Sequence, residues 1–324
     1  MEGVAGEVAA LRSAFPNSLV WGVSARDARW ISWKHGICFN PRLYWAFRIM
    51  TGLWQRRINV NHLFGSVGDW HHLKSLINRP TIMTVCLRGR AEHSQLLERV
   101  DRFAVEWPGA KGDLKALGVG EDRIRLVLPP VDLSRFRADA RPPDQFSVLF
   151  ASSPDRAEWL ESRGVDLILD AAQQCPEMRF VLVWRPWGDS LPAIRQLVAN
   201  RGLKNVEIVT GKHADMSSFY QNTHVTVAPF RDGTRSKPTP NSILESLSSG
   251  RPVVVSDAVG ISEMIADARA GLVSDPKQCP LSECLNRIKA DWLKMSEHAR
   301  RLAEAAFDMR RFVKAYESLY EEIA

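Results

Sequence analysis

From about residue 145 onward, short apolar runs alternate with stretches in which apolar positions recur three and four residues apart. FSVLFAS (146–152), RFVLVW (179–184), VEIVTG (206–211), HVTVAPF (224–230) and PVVVSD (252–257) are runs of the first kind. VDLILDAAQQC (165–175), LPAIRQLVANRG (191–202) and MSSFYQNT (216–223) have helical spacing, and a further helix ends at Gly250. Continuous β-branched runs separated by helices predict a parallel sheet covered on both faces.

The first 140 residues repeat the alternation in shorter form. Strands are predicted at 18–24, 58–64, 81–87, 102–107 and 123–130, and helices at 41–55, 70–77, 92–100 and 110–118. The polar, proline-containing stretch ADARPPDQ (138–145) reads as a linker, giving an N-terminal domain over 1–140 and a C-terminal domain over 141–308. An amphipathic helix at about 309–322 follows. The predicted architecture is α/β, with two Rossmann-like, doubly wound parallel-sheet domains facing across a cleft. Ligands of such sheets bind beyond the carboxyl ends of the strands.

Composition narrows the class. The chain has 324 residues, 45% of them hydrophobic and 25% charged, enough for two cores and ordinary for a globular protein. No run of eighteen uncharged apolar residues occurs, and the N-terminus lacks the basic-then-apolar pattern of a secretory signal. A cytoplasmic protein is expected, with peripheral placement on the inner face of a membrane as a variant. The five cysteines are scattered without a C-x-x-C pair, which points to neither a disulfide framework nor a zinc site. The formal charge of +6 suits phosphorylated small molecules or an anionic surface; no nucleic-acid-binding motif is present and no nucleic acid partner is expected.

The most informative stretch runs from Phe230 to Ala258. A polar loop with Arg231, Arg235 and Lys237 leads to Thr239-Pro240, read as an N-cap followed by a first-turn proline, and a short helix ends at Gly250. The free amides and positive dipole of such a helix start make an anion site, and the cations upstream point to a phosphate or diphosphate. Glu245 lies off the centre of the stripe of Ile243, Leu244 and Leu247. From spacing alone it is either a solvated helix residue or a carboxylate that accepts hydrogen bonds from the vicinal hydroxyls of a ribose.

SILESLSSGRPVVVS (242–256), followed by VGISE (259–263), resembles the signature of the GT-B-fold glycosyltransferases of the retaining "glycosyl transferases group 1" class, family 4. SRGVDLILDAA (162–172), SSFYQNTHVTVAPF (217–230) and the segment 101–136 are similar to other elements of that family, in order. The resemblance covers 101–324 well and 1–100 poorly. It implies that the C-terminal helix, 309–324, packs back on the first domain.

The resemblance also implies roles. Glu245 would hold the donor's ribose, and the helix start at Pro240, Asn241, Ser242 and Ile243 would meet the diphosphate or sugar. Lys212 and His213 would lie at the base-binding loop. Arg163 and Arg156 would neutralise the leaving diphosphate. The family's first acid, eight residues before Glu245, is replaced by Lys237, a candidate contact to the diphosphate or to a carboxylated sugar. Cys86 stands where the family often has His and reads as a buried structural thiol. The usual glycine-rich acceptor loop is replaced by 21–36, and Arg26, His35, His62 and Arg88 are the acceptor-side candidates. His71-His72 alone is a weak metal site. No Asp-x-Asp occurs, so no metal is expected on the diphosphate.

The implied activity is sugar transfer from a nucleoside-diphosphate sugar, UDP or GDP foremost, with no permanently bound cofactor. The acceptor would be a carbohydrate, a lipid-linked molecule or a small molecule. The basic, aromatic-rich segment 42–57 is either the core face of a helix or a peripheral membrane contact. An inverting enzyme, or a degenerate relative that binds a sugar nucleotide or a partner transferase without turnover, are the competing readings.

Overall fold

The computed structural model describes residues 2–23, 31–33, 36–77, 79–138, 142–213, 215–234 and 236–324. The chain divides into two compact units, Met1–Pro130 with Met309–Ala324, and Val131–Asp308.

The first unit opens with helix α1 (Glu2–Ala14), followed by β1 (Trp21–Val23), β2 (Ile31–Trp33), β3 (Gly36–Phe39) and α2 (Tyr44–Trp54). Then come β4 (Asn61–Gly65), α3 (Trp70–Lys74), β5 (Thr81–Val85), β6 (Arg102–Val105), α4 (Gly109–Ala116) and β7 (Ile124–Leu126). Strands β4-β5-β6-β7 form a parallel sheet in that order, while β1-β3-β2 is a separate sheet whose β2 runs antiparallel to β3. The period of two sorts the core. Met83, Val85, Phe103 and Val105 face α3 and α4, whereas Ile82 and Ala104 face α1 and the C-terminal helix.

That C-terminal helix, Met309–Ile323, docks through Phe312, Tyr316 and Leu319, spaced four and three apart on one face. Helix α1 was not legible in the apolar pattern. The predicted helix at 92–100 is instead a 3₁₀ segment, Ser94–Arg99.

The second unit contains β8 (Ser147–Phe150), α5 (Val165–Gln174), β9 (Arg179–Trp184), α6 (Ser190–Asn200), β10 (Val206–Thr210), α7 (Ser217–Gln221) and β11 (Val225–Ala228). It continues with α8 (Asn241–Ser248), β12 (Val253–Val255), α9 (Ser262–Asp267), β13 (Gly271–Val273), α10 (Leu281–Ala290) and α11 (Trp292–Ala306). Six parallel strands lie in the order β10-β9-β8-β11-β12-β13. All four residues of β8 and of β11, and all three of β12, are buried, as strands covered on both faces require. The chain winds outward from β8 through β9 to β10, then returns to the other side of β8 with β11. The sheet therefore has its switch point between β8 and β11, where a doubly wound sheet opens a crevice beyond its carboxyl edge.

All five cysteines are free thiols. Cys279 and Cys284, scattered by sequence, meet with their Sγ atoms 2.7 Å apart.

Candidate functional site

Two loops flank the switch point: residues 151–164 after β8 and residues 229–240 after β11. They are interlocked. Gly164 adopts φ +66°, and a Cβ placed on it would lie 1.9 Å from the carbonyl oxygen of Pro229. Only glycine combines that left-handed backbone with that approach. The amide of Arg231 donates to the carbonyl of Ser162 at 2.9 Å. The guanidinium of Arg163 stands 5.1 Å over the ring of Phe230.

The loop after β9 joins them. Gly188, at φ +73°, leaves a Cβ position only 1.7 Å from the carbonyl of Asp155, and the amide of Arg185 donates to Ser153 Oγ at 3.2 Å. Three consecutive carboxyl-end loops of one sheet are thus held in contact.

Helix α8 begins in this place. Pro240, at φ −67° and ψ 132°, is the N-cap residue and no side chain caps the helix. The expectation that Thr239 is the cap and Pro240 the first helical residue is therefore off by one. Thr239 is instead wholly buried. Pro240 carries no N–H, and the amide of Ile243 already donates to its carbonyl at 3.0 Å. The amides of Asn241 and Ser242 are the two that lie ahead of the first intrahelical acceptor. The Ile243 side chain is core. Ser242 Oγ meets Ser152 Oγ at 2.9 Å, which ties the helix start to the loop after β8.

One turn further, Glu245 accepts a hydrogen bond of 2.7 Å from the hydroxyl of Tyr220. The carboxyl is partly buried, and this desolvation pushes its pKa up to about 7, against the hydrogen bond from Tyr220 and the nearby charges of Arg135 and Arg185. Arg135 is itself paired with Asp215 at 3.1 Å. Burial lowers the Arg163 pKa to about 10, with Asp155 opposing and Arg185 adding to the shift, so the guanidinium stays charged at neutral pH. Arg163 and Arg185 put positive charge on the loops around the switch point at which α8 starts, a setting suited to a phosphate anion.

The other sequence candidates fall in different settings. Arg156 is exposed and pairs with Glu158 at 3.2 Å, two residues along its own loop. Arg231 pairs with Asp166 on α5. Lys237 is half-buried in the loop before α8, and Arg235 lies outside the described residues. Lys212 is exposed beyond β10. His213 packs edge-on against Phe219, ring centroids 4.8 Å apart, next to Tyr220 in the chain. Arg26 and His35 lie outside the described residues.

In the first unit, Arg88 is exposed just past β5 and stands 5.7 Å from the Trp107 ring. His62 has both ring nitrogens occupied, Nδ1 by Tyr320 and Nε2 by Thr84, each at 2.7 Å. It is bound into the packing of the C-terminal helix. Cys86 is buried with its thiol donating to the carbonyl of Gly65. Asp69 is the N-cap residue of α3, but its carboxylate turns away from the helix and takes the amide and hydroxyl of Ser66. No group of three or more His, Cys, Asp or Glu suited to a metal ion exists among the described residues. Arg185 escaped the sequence reading. The one signal for it was its place directly after the strand run RFVLVW.

Residues 146–289 match the model of the family described as Glycosyl transferases group 1. That stretch of the chain is similar to a group 1 glycosyltransferase domain. The stretch coincides with the six-stranded sheet and contains Arg163, Arg185 and α8. The chain is also 25% identical over 171 residues to an alpha-D-kanosaminyltransferase of Streptomyces kanamyceticus, a match that spans 50% of this chain and 43% of that protein. Among solved structures, the chain is similar to sucrose-phosphate synthase from Thermosynechococcus elongatus (TM-score 0.78, 18% identity, 98% of this chain and 91% of that one). It is also similar to Anabaena HepE in complex with UDP (TM-score 0.71, 15% identity, 89% and 86%). These likenesses establish the GT-B fold, with two Rossmann-like units.

Proposed function

We propose that this protein transfers a sugar from a nucleoside-diphosphate sugar, UDP being the first base to test, to a carbohydrate, lipid-linked or small-molecule acceptor. The observation that carries the reading is the convergence of Arg163, Arg185 and the start of α8 at the switch point of one sheet, with Glu245 one turn along. In this reading the amides of Asn241 and Ser242 and the two guanidinium groups take up the charge of the departing diphosphate, without a metal ion, and Glu245 holds the ribose hydroxyls. Lys237, in the loop before α8, meets the outer phosphate or the sugar. Lys212 and His213 border the base, and the sugar is transferred with retention. Arg88 stands on the acceptor side. HepE, bound to UDP in its solved form, supports the choice of base.

The test is a thermal-shift screen against UDP-, GDP-, ADP-, TDP- and CMP-sugars, followed by turnover of the donor that stabilises. One donor class is expected to raise the melting temperature by several degrees. Glu245→Ala should abolish that shift, and Arg163→Ala should slow turnover by about 10²–10³-fold. No stabilisation by any donor would defeat the proposal. Lys237 in place of the family acid favours a second reading, donor binding without transfer, which predicts the shift but no turnover.

We also propose that the segment 42–57 rests on an anionic membrane. Trp45, Ile49 and Leu53, four residues apart on α2, are 64%, 57% and 61% exposed, and Arg42, Arg48, Arg56 and Arg57 are exposed beside them. Between Ala28 and Gly68 the sequence has six Lys or Arg and no acid, which equals the whole formal charge of +6. No helix among the described residues is long and apolar enough to cross a membrane.

A further inference from the structure

A cavity of about 570 Å³ lies within the first unit, walled by the loops that lead into β1 and β4 and by α1, α2 and α3. It sits at the amino ends of these strands, away from the carboxyl edge where doubly wound sheets take their substrates. Leu11, Phe15, Trp21, Phe47, Leu63 and Leu76 supply its apolar wall.

The polar side chains of that wall are largely committed. Gln55 donates to the carbonyl of Ser75 and accepts from Asn61 and from the amide of Ile77. His62 is held by Tyr320 and Thr84, Thr51 donates to the carbonyl of Phe47, and Ser18 to that of Phe15. Asn17, Asn59 and His72 also reach the lining, which is mixed but mainly apolar, and a space of this size and character suits the chain of an amphiphile.

The mouth has a different character. Leu19 and Trp54 belong both to the wall and to the exposed surface, and Arg57 lies beside them with its guanidinium 5.5 Å over the Trp54 ring. An exposed cation at the opening of an apolar chamber recognises an anion attached to a hydrocarbon chain.

We propose that this cavity binds the chain of a single-tailed anionic amphiphile, with Arg57 on its head group, and serves as an anchor separate from sugar transfer. The proposal rests in part on the membrane reading, because α2 carries both the exposed stripe and one wall of the cavity. A chain drawn from the bilayer would enter beside Trp54.

Calorimetric titration of the full chain with dodecyl phosphate below its critical micelle concentration tests it. Saturation near one ligand per chain is expected. Thr51→Phe, which fills the chamber, and Asn59→Phe, at an exposed position of its wall, should each weaken binding at least tenfold. Arg57→Gln should weaken dodecyl phosphate and leave dodecanol unchanged. Dodecanoate replaces the phosphate in a parallel titration, and the tighter head group identifies a phospholipid or a free fatty acid as the source. The triple substitution Trp45→Ser, Ile49→Ser, Leu53→Ser should lose flotation with anionic vesicles yet still bind dodecyl phosphate. If the triple variant floats normally while dodecyl phosphate saturates, the membrane reading fails and the cavity stands. Absence of saturable binding, unchanged binding in both filling variants, or dodecanol binding as tightly as dodecyl phosphate would overturn the proposal.

Discussion

The hydroxyl of Tyr220 points its proton at Glu245 over 2.7 Å, joining the end of α7 to the middle of α8. The phenol is buried and its pKa is raised, so it keeps that proton and acts only as donor. A carboxyl fixed in this way has one oxygen committed to Tyr220, and in the proposed role the other takes the ligand.

Its titration has a direct consequence. Burial raises the Glu245 pKa from 4.5 to about 7. The folded state therefore binds more protons than the unfolded chain between these values, and this group's contribution to stability is full below pH 4.5 and lost as pH rises through 7. The loss amounts to at most about 3 kcal/mol. Glu245→Gln should remove that slope from stability measured against pH. Affinity for the donor runs the other way. The ribose hydroxyls need an acceptor, so donor binding should strengthen from pH 6 to pH 8 and become flat in Glu245→Gln. Donor affinity independent of pH in the unsubstituted protein would contradict the assigned role.

His62 titrates with the opposite sign. Burial pushes its pKa from 6.5 down to about 3, and both ring nitrogens are already bonded. The unfolded chain takes up a proton below pH 6.5 that the folded state refuses. Stability from this residue is present above that pH and falls as pH drops towards 3, by up to about 1.4 kcal/mol per pH unit. Chemical denaturation between pH 4 and 7 should show this slope, and His62→Gln should flatten it. Because Glu245 slopes the other way over part of the range, each group is read from the difference between the protein and its own variant.

The second unit was legible because its strands are covered on both faces. Val253, Val254 and Val255 are all buried, and a continuous β-branched run leaves little choice of element. The helix ending at Gly250 was legible from the same contrast. Less visible was everything decided by tertiary contact. Arg156 and Arg163 are equivalent by residue type, yet one pairs with its neighbour Glu158 in solvent and the other is packed over Phe230. His62 carried the chemistry of a candidate acceptor-side residue, but the partner that occupies it, Tyr320, lies 258 positions away. Helix α1 was missed because its apolar face is weakly marked and is defined by the C-terminal helix against which it packs. In the first unit, β1 lies inside the strand predicted at 18–24, whereas β2 and β3, three and four residues long, carry too few residues for a periodic signal.

Gly164 offers the sharpest separation of fold from site. It is the N-cap of α5, and its φ of +66° places the hydrogen of its α-carbon where Pro229 O leaves no room for a methyl group. Alanine there meets two costs at once. The left-handed backbone disfavours any Cβ by about 1 kcal/mol, and the contact at 1.9 Å is with backbone, which cannot rotate away. Relief requires the loops after β8 and β11 to part, and these are the loops that carry Arg163 and lead into α8. Gly164→Ala should therefore lower stability by roughly 2–4 kcal/mol and weaken nucleotide-sugar binding more than the stability loss alone explains. Gly202→Ala provides the control: its φ is +62° but nothing lies within 4 Å of the added Cβ. It should cost only the backbone share, about 1 kcal/mol, and leave donor affinity intact. Equal losses in the two variants, measured by thermal melting and by donor titration at a temperature where both remain folded, would show that the contact with Pro229 does not govern the site.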